Sequence, residues 1–498
     1  MLGWACSSTW FFILAAAATM AAGCQEPNPR SCIDGTCTDP SLPFCDVDGA
    51  LAGEPETCIA VACTPGEFAA CRGDQAITCN SEGTSYDLVQ CPKGCDAIGG
   101  CRVCDPNQTV CANGKVQTCD SSGAVTDSET CPLGCFANEP RCTKLVPSNG
   151  LSQYLDLAAQ APDLDLESIR IDTTTGEVLD VVANAPVLVP NYNVTVPGAP
   201  SIKIFIAHSA HLRRVSVVAS EGGGSAFAFM TKDELRVSGP VKVAGNVGVP
   251  TMGCNAGMGH YRIDDGTSLP LDSTGAGGGG NVTSGGAGGG LSDFFASASG
   301  GAPVGTERIV PLQGGCPPGD LEGRTPYGVG GVMEYTYGGG AIQLVSETSI
   351  VLDGMIDVRG QRGGFHGEQE WVIISGGGAG GAVLLEAPVV TMTDRAVVMA
   401  KGGGGGSLGA APPVDDTGNP DPGVGCYSPP CSPGGQGGAV NIPPTSADNV
   451  VGTAGAGYAG GGGGSVGRLR VNTAAGTYSK TSHSLEVAAS TTGTIETK

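Results

Sequence analysis

The sequence predicts a mostly β protein in which small disulfide-rich modules precede a glycine-rich parallel β-solenoid, right-handed and β-helix-like, with long loops. Three observations carry that expectation. Sixteen of the 22 Cys crowd into residues 32–142. Glycine supplies 84 of the 498 residues, far above the roughly 7% of an average globular chain. Short runs of alternating apolar residues recur through the C-terminal two thirds, with no long helical periodicity among them.

Residues 1–23 carry no charged side chain, and Trp10 to Ala22 form an apolar run of the length of a secretory h-region. The run is shorter than the roughly 20 apolar residues that span a bilayer as a helix. It ends in Ala21-Ala22-Gly23-Cys24, which resembles a bacterial lipobox. That resemblance implies a lipoprotein signal peptide over 1–23, lipidation of Cys24 and a short anchored linker over 24–31. Gln25 and Glu26 replace the Asp that retains such proteins at the inner membrane, so the same resemblance implies export to the outer membrane or cell surface.

Removing Cys6 and Cys24 leaves an even number of cysteines free to pair. Cys32, Cys37, Cys45 and Cys58 form a small module over 32–62. Cys63, Cys71, Cys79, Cys91, Cys95 and Cys101 define a repeat over 63–103, and Cys104, Cys111, Cys119, Cys131, Cys135 and Cys142 define its copy over 104–142. Units this small cannot bury enough core, so cross-links substitute for it. No His lies between residues 24 and 207, which with the export signal favours disulfides over zinc. Which cysteines pair is left open. Arg72-Gly73-Asp74 looks like an integrin ligand, but Asn113-Gly114 in the copy marks the position as a hairpin turn.

A linker over 143–165 holds one short helix, with Ser148 and Asn149 as caps and Leu151, Tyr154, Leu155 and Ala158 on its apolar face. The β body follows over 166–498. Strands are expected at Val187–Val189, Val194–Val196, Ile202–Ile206 and Val215–Val218, punctuated by Pro, Asn and Gly. Leu235-Arg236-Val237-Ser238-Gly239-Pro240-Val241-Lys242-Val243 aligns without gaps on Ile350-Val351-Leu352-Asp353-Gly354-Met355-Ile356-Asp357-Val358. Gly340–Leu344, Gly381–Leu385 and Gly467–Val471 are three further strand starts of one pattern. Strands that cannot bury a face alone must stack. The glycine tracts 276–290, 402–409 and 460–464 and the Pro-rich stretch 411–434 then become loops, clipped by Cys426 with Cys431 and by Cys254 with Cys316. The rival architecture is a β-sandwich with glycine linkers.

Over nearly its full length the chain resembles predicted cysteine-rich, glycine-rich surface lipoproteins of myxobacteria, through the lipobox, the paired cysteine modules and segments such as Gly380-Gly381-Ala382-Val383-Leu384-Leu385-Glu386-Ala387-Pro388. The resemblance implies an architecture and a compartment, and no activity.

Chemistry-bearing motifs are sparse. Gly405–Gly409 and Gly463–Gly467 match a nucleophile elbow, but glycine tracts supply neither the strand nor the helix it needs. Only five His exist, at 208, 211, 260, 366 and 483. Asp353 and Asp394 lie 41 residues apart, the offset that also aligns Ile342, Leu344 and Ile356 with Val383, Leu385 and Val397. Stacked on adjacent turns they would share a Ca²⁺, with Arg359, Arg362 and Glu368 nearby, whereas the bland reading of Asp353 before Gly354 is a turn residue. Trp371, Tyr261, Tyr327, Tyr335 and Tyr337 are the body's candidate sugar-stacking groups. A net charge of −23 argues against nucleic acid as a partner. The expected function is a lipid-anchored structural or adhesive surface protein without catalytic activity, with membrane, polysaccharide or surface proteins as partners; the alternatives are a carbohydrate-binding module or a polysaccharide lyase or hydrolase. No cofactor is expected beyond that possible Ca²⁺.

Overall fold

The computed structural model describes residues 30–498 apart from 33, 53, 98–99, 103, 122, 221–223, 251, 264–269, 292–294, 320–335, 367–372, 408–422, 424–430, 452–456 and 483–484. The signal segment, Cys24, Glu368, Trp371, Tyr327, Tyr335, Cys426 and His483 therefore lie outside the described residues. The chain is mostly β and divides into two units. One runs to Thr130 and includes Cys135–Arg141; the other holds Cys131–Gly134 and Cys142–Lys498.

In the N-terminal modules the two repeats share one three-stranded antiparallel design, Phe68–Arg72, Gln75–Cys79 and Tyr86–Gln90 in the first and Thr109–Ala112, Lys115–Cys119 and Val125–Thr130 in the second. The disulfides repeat with the strands. Cys63–Cys79, Cys71–Cys95 and Cys91–Cys101 join first to third, second to fifth and fourth to sixth cysteine, and Cys104–Cys119, Cys111–Cys135 and Cys131–Cys142 do the same. Cys32–Cys45 and Cys37–Cys58 close the leading module. The hairpin turns put Gly73, Asn113 and Gly114 at positive φ (55°, 54° and 71°), the conformation tight two-residue turns require.

The second unit is built on three sheets, and from residue 164 the chain passes through them in a fixed cycle. One cycle is Leu235–Val237, Val241–Val243 and Ala341–Ser346; the next is Ser349–Leu352, Met355–Asp357 and Ala382–Glu386; the next is Val389–Met392, Val397–Met399 and Arg468–Thr473. Each strand pairs in parallel with its counterpart one cycle earlier. The register matches the gapless alignment read from sequence, with Leu235 opposite Ile350, Val237 opposite Leu352 and Val241 opposite Ile356. Alternation turns these residues into a shared interior, where Leu235, Val237, Val241, Ile350, Leu352 and Ile356 are buried. Burying one such side chain is worth about 1.5–3 kcal/mol. A single three-strand cycle buries too few to offset its own ordering, so stacking is what stabilises it.

The third sheet is covered on its outer face as well. Leu151, Leu155 and Ala158, just before and within the helix Ser152–Ala158, and Ile309 with Leu312 pack on Ile204, Met230, Val345 and Leu384. The segment 143–165, expected as a connector, is thus part of the body, and Leu145–Val146 pairs with Glu496–Thr497. Ser148 and Asn149 do not cap the helix. Ser148 instead donates its N–H and hydroxyl to the buried carboxylate of Glu386 (3.0 and 2.7 Å), which also accepts from Gln343 and Asn472. Val187–Val189 is not a strand: Leu188 is exposed, and the run sits between Pro186 and Pro190, which remove ladder donors.

The glycine tracts are not loops. All three long excursions, 244–340, 358–381 and 400–467, leave the second sheet and rejoin the third, and their described glycines are largely buried. Their N–H groups donate to neighbouring tracts with a period of three. Gly461 and Gly464 donate to Gly406 and Gly403; Gly462 and Ser465 donate to Ala276 and Gly279; Gly402 and Gly405 donate to Gly438 and Gly435. Ala276 and Gly279 in turn donate to Ile374 and Gly377, and Gly377 and Gly380 donate to Gly462 and Ser465. A three-residue repeat of donors is the spacing of extended threefold segments of polyproline II type packed side by side, and the first tract folds back on itself in the same way, Gly275 and Gly278 donating to Gly289 and Gly286. Such packing excludes side chains: a Cβ on Gly463 would lie 1.9 Å from the Gln436 carbonyl oxygen, and one on Gly405 1.9 Å from that of Gly461. Arg468 ties this layer to the third sheet by donating to Asn281 Oδ1 (3.1 Å) and to the carbonyls of Asn281 and Val304 (3.0 Å each). Cys254–Cys316 closes the largest excursion, and Cys431 is disulfide-bonded.

Candidate functional site

The corner where the second sheet gives way to the glycine layer carries an open cleft of about 410 Å³. Its wall is a ladder: Ser216, Lys242 and Asp357 are in-register neighbours on three adjacent strands. Arg359, Gly360, Gln361 and Arg362, just after the strand Met355–Asp357, and Lys401, just after Val397–Met399, complete it. Arg359 and Lys401 stand at the same place on successive cycles, as the pairing of Ile356 with Val398 shows. Asp357 is buried and accepts from Arg359 Nε and Nη2 (2.9 Å each) and from the Arg359 N–H (3.2 Å). This bidentate pair fixes the guanidinium plane. Lys401 is 1% exposed, whereas Lys242 and Gln361 are exposed. Lys242, Arg359, Arg362 and Lys401 thus line the cleft together with Asp357.

The Asp353–Asp394 calcium pair does not form. The offset is 41 on the third sheet, but it shortens to 40 on the first, where Leu352 stands opposite Met392. Asp353 therefore meets Thr393, while Asp394 is exposed on a turn. The Asp353 carboxylate accepts from the Thr393 hydroxyl, Arg395 Nε (3.2 Å) and Nη2, and Arg236 Nη2 (3.3 Å). Those donors, the Thr393 hydroxyl foremost and Arg395 next, hold its carboxyl below the ordinary value. Cations occupy the oxygens that calcium would need.

Beside it the fold brings together an Asp, a His and a Ser that are far apart in sequence. His211 Nε2 lies 2.6 Å from Ser238 Oγ, and His211 Nδ1 lies 3.8 Å from Asp165 Oδ1. Asp165 accepts both forks of Arg213 at 3.0 and 2.7 Å, so the base has no close orienting acceptor. The Ser238 N–H donates to the Leu212 carbonyl and cannot serve an oxyanion. The trio is a surface polar ladder rather than an activated nucleophile.

Other sequence candidates resolve simply. Ser407 and Ser465, the elbow serines, are fully buried in the glycine layer, out of reach of a substrate. Cys101 and Cys104 bond different partners and are not a redox pair. Arg72 of the Arg-Gly-Asp turn is only 16% exposed at its side chain and pairs with Asp48 at 3.1 Å. His208 lies 3.2 Å from Asp163 Oδ1, and His260 stacks on Phe295. Among the described residues the one grouping with metal-ligand spacing is Cys32, Cys37 and Cys58, whose sulfurs are in disulfides. Among them no helix is long and apolar enough to cross a membrane.

The cleft is not apparent from sequence, in which Arg359 and Arg362 stand only as neighbours of the Asp353–Asp394 pair. A signal was present: Arg359-Gly360 and Lys401-Gly402 each place a cation just before a glycine tract. No family model, curated protein or solved structure matches the chain.

Proposed function

We propose that this is an exported surface protein of structural or adhesive type, lipid-anchored at Cys24 and without catalytic activity, whose body is a parallel β-solenoid backed by a layer of polyglycine segments. The observation that carries the reading is the way the glycine excursions spend their backbone hydrogen bonds on one another. A body so committed is a rigid scaffold. Two further observations support it: paired cysteines throughout the N-terminal modules suit an oxidising compartment, and the lipobox-like Ala21-Ala22-Gly23-Cys24 supplies a membrane anchor. The outer membrane or cell surface is the compartment this combination fits.

Expression of the full chain in a bacterial host with a lipoprotein pathway, with a clickable palmitate analogue, tests the anchor. The chain should be labelled and sediment with membranes, and Cys24→Ser should lose both properties. An unlabelled, soluble wild type would refute the anchor. Purified protein incubated with a polysaccharide panel should release no new reducing ends.

A further inference from the structure

We propose that two copies of the protein pair edge to edge through the strand Tyr86–Gln90 of the first cysteine repeat, in an antiparallel register centred on Leu88. The inference goes beyond the adhesive reading by naming a partner, a second copy of this chain, and it stands on the geometry of that repeat alone.

The strand has an open edge. Tyr86–Gln90 is the outer strand of its three-stranded sheet, and among the described strands it pairs only with Gln75–Cys79. The Asn80 N–H donates to the Ser85 carbonyl and the Cys91 N–H to the Asp74 carbonyl. Alternation then turns the main-chain groups of Asp87 and Val89 towards the inner strand and those of Tyr86, Leu88 and Gln90 outward. Such a row of N–H and C=O groups is a template that a further strand completes. Residues 87–90 are exposed, and two of them are large and apolar, Leu88 at 43% and Val89 at 45%. Residues 86–90 hold no Pro, no Lys and no bulge, the devices that blunt a sheet edge. The edge is also held in place. Cys91, directly after the strand, is tied to Cys101, and the Tyr86 ring packs edge-on against Phe44 at 5.1 Å, so pairing has little chain left to order.

The order of residues selects the occupant. About a two-fold axis at Leu88 the strand is its own complement: Leu88 faces Leu88, Tyr86 faces Gln90 and Asp87 faces Val89, so no acid opposes an acid. The second repeat supplies the contrast. Its equivalent strand carries Asp127, Ser128 and Glu129 where the first carries Asp87, Leu88 and Val89. The same pairing there would set Asp127 against Glu129, and a register shift between Val125 and Asp127 distorts that edge further. One repeat has a pairing edge and its copy a guarded one.

Sedimentation of the purified full chain, at one detergent concentration and at protein concentrations up to about 200 μM, tests the pairing. Wild type should shift from monomer towards dimer as its concentration rises. Each copy carries a net charge of −23, so screening of their repulsion should strengthen the association from low to physiological salt. Leu88→Ser combined with Val89→Glu gives the edge the residues its copy already carries, so the fold should hold while association weakens by about tenfold or more. Leu88→Pro removes an outward N–H without touching the ladder to Gln75–Cys79 and should weaken association likewise. The matching change in the copy, Ser128→Pro, should leave it unaltered. A monomer at every concentration overturns the proposal, as does association that the two Leu88 variants retain with melting temperatures equal to wild type. Equal weakening by Ser128→Pro would overturn the assignment to the first repeat's edge.

Discussion

Asp353 shows how one residue changes meaning between sequence and fold. Before a glycine and aligned with another acid, it reads as a calcium ligand or a turn residue. In the fold it is 5% exposed and surrounded by donors from two neighbouring turns: Arg236 on one side, Thr393 and Arg395 on the other. It acts as a clasp between cycles. The Thr393 hydroxyl and Arg395 lower its pKa below the ordinary 3.8. A group whose folded pKa is depressed contributes stability that is fully present above its unfolded value and is lost as pH falls through the folded value. Denaturant midpoints measured from neutral pH downward should therefore decline below about pH 4, and Asp353→Asn should both lower the neutral-pH midpoint and flatten that decline. A variant curve parallel to wild type throughout would show that Asp353 takes no part in the acid sensitivity.

At the scale of elements, two kinds of glycine-rich segment look alike in sequence and behave as opposites. Gly239 and Gly354 sit between the short strands of a rung, where the gapless alignment placed them, and the strands on either side were legible because alternating Leu, Val and Ile fix both face and register. The long tracts carried no such pattern. With no side chains to alternate, they read as flexible loops, and their role depends on partners as much as 187 residues away, the separation at which Arg468 reaches Asn281. Register also failed where turn length varies: a constant offset of 41 is right for Ile342 with Val383 and one residue wrong for both Asp353 and Ile356, because one corner shortens the offset to 40 and the next lengthens it to 42. The cleft was illegible for the same reason, since it exists only once Lys242, Arg359 and Lys401 are stacked. If the tracts are packed layers, Gly463→Ala must collide with the Gln436 carbonyl at 1.9 Å. In a loop the same change is neutral or slightly stabilising through the unfolded state; here it should destabilise by about 2 kcal/mol or more. Thermal melting of Gly463→Ala decides between them, and an unchanged or raised midpoint would remove the packed layer.

For the molecule as a whole, the two units draw their stability from different sources. The N-terminal modules hold two- and three-stranded sheets with few buried large residues, Ile77 among them, and all their described cysteines are bonded. Each crosslink joins cysteines 10 to 24 residues apart and restricts the unfolded chain by about 2–4 kcal/mol. The body beyond residue 142 relies instead on a continuous interior running from Leu166 to Ala488 and on the glycine layer's hydrogen bonds, with Cys254–Cys316 and Cys431 as its described disulfide positions. Reduction should therefore separate what heat alone does not. With a strong reductant under otherwise native conditions, limited proteolysis should digest the chain up to the boundary region of residues 131–142 and leave a resistant fragment reaching Lys498 that keeps most of the far-ultraviolet β signal. Without reductant, both parts should resist. Loss of the whole β signal on reduction, with no resistant C-terminal fragment, would mean that the body's interior is not self-sufficient and that the division into two energetically separate units is wrong.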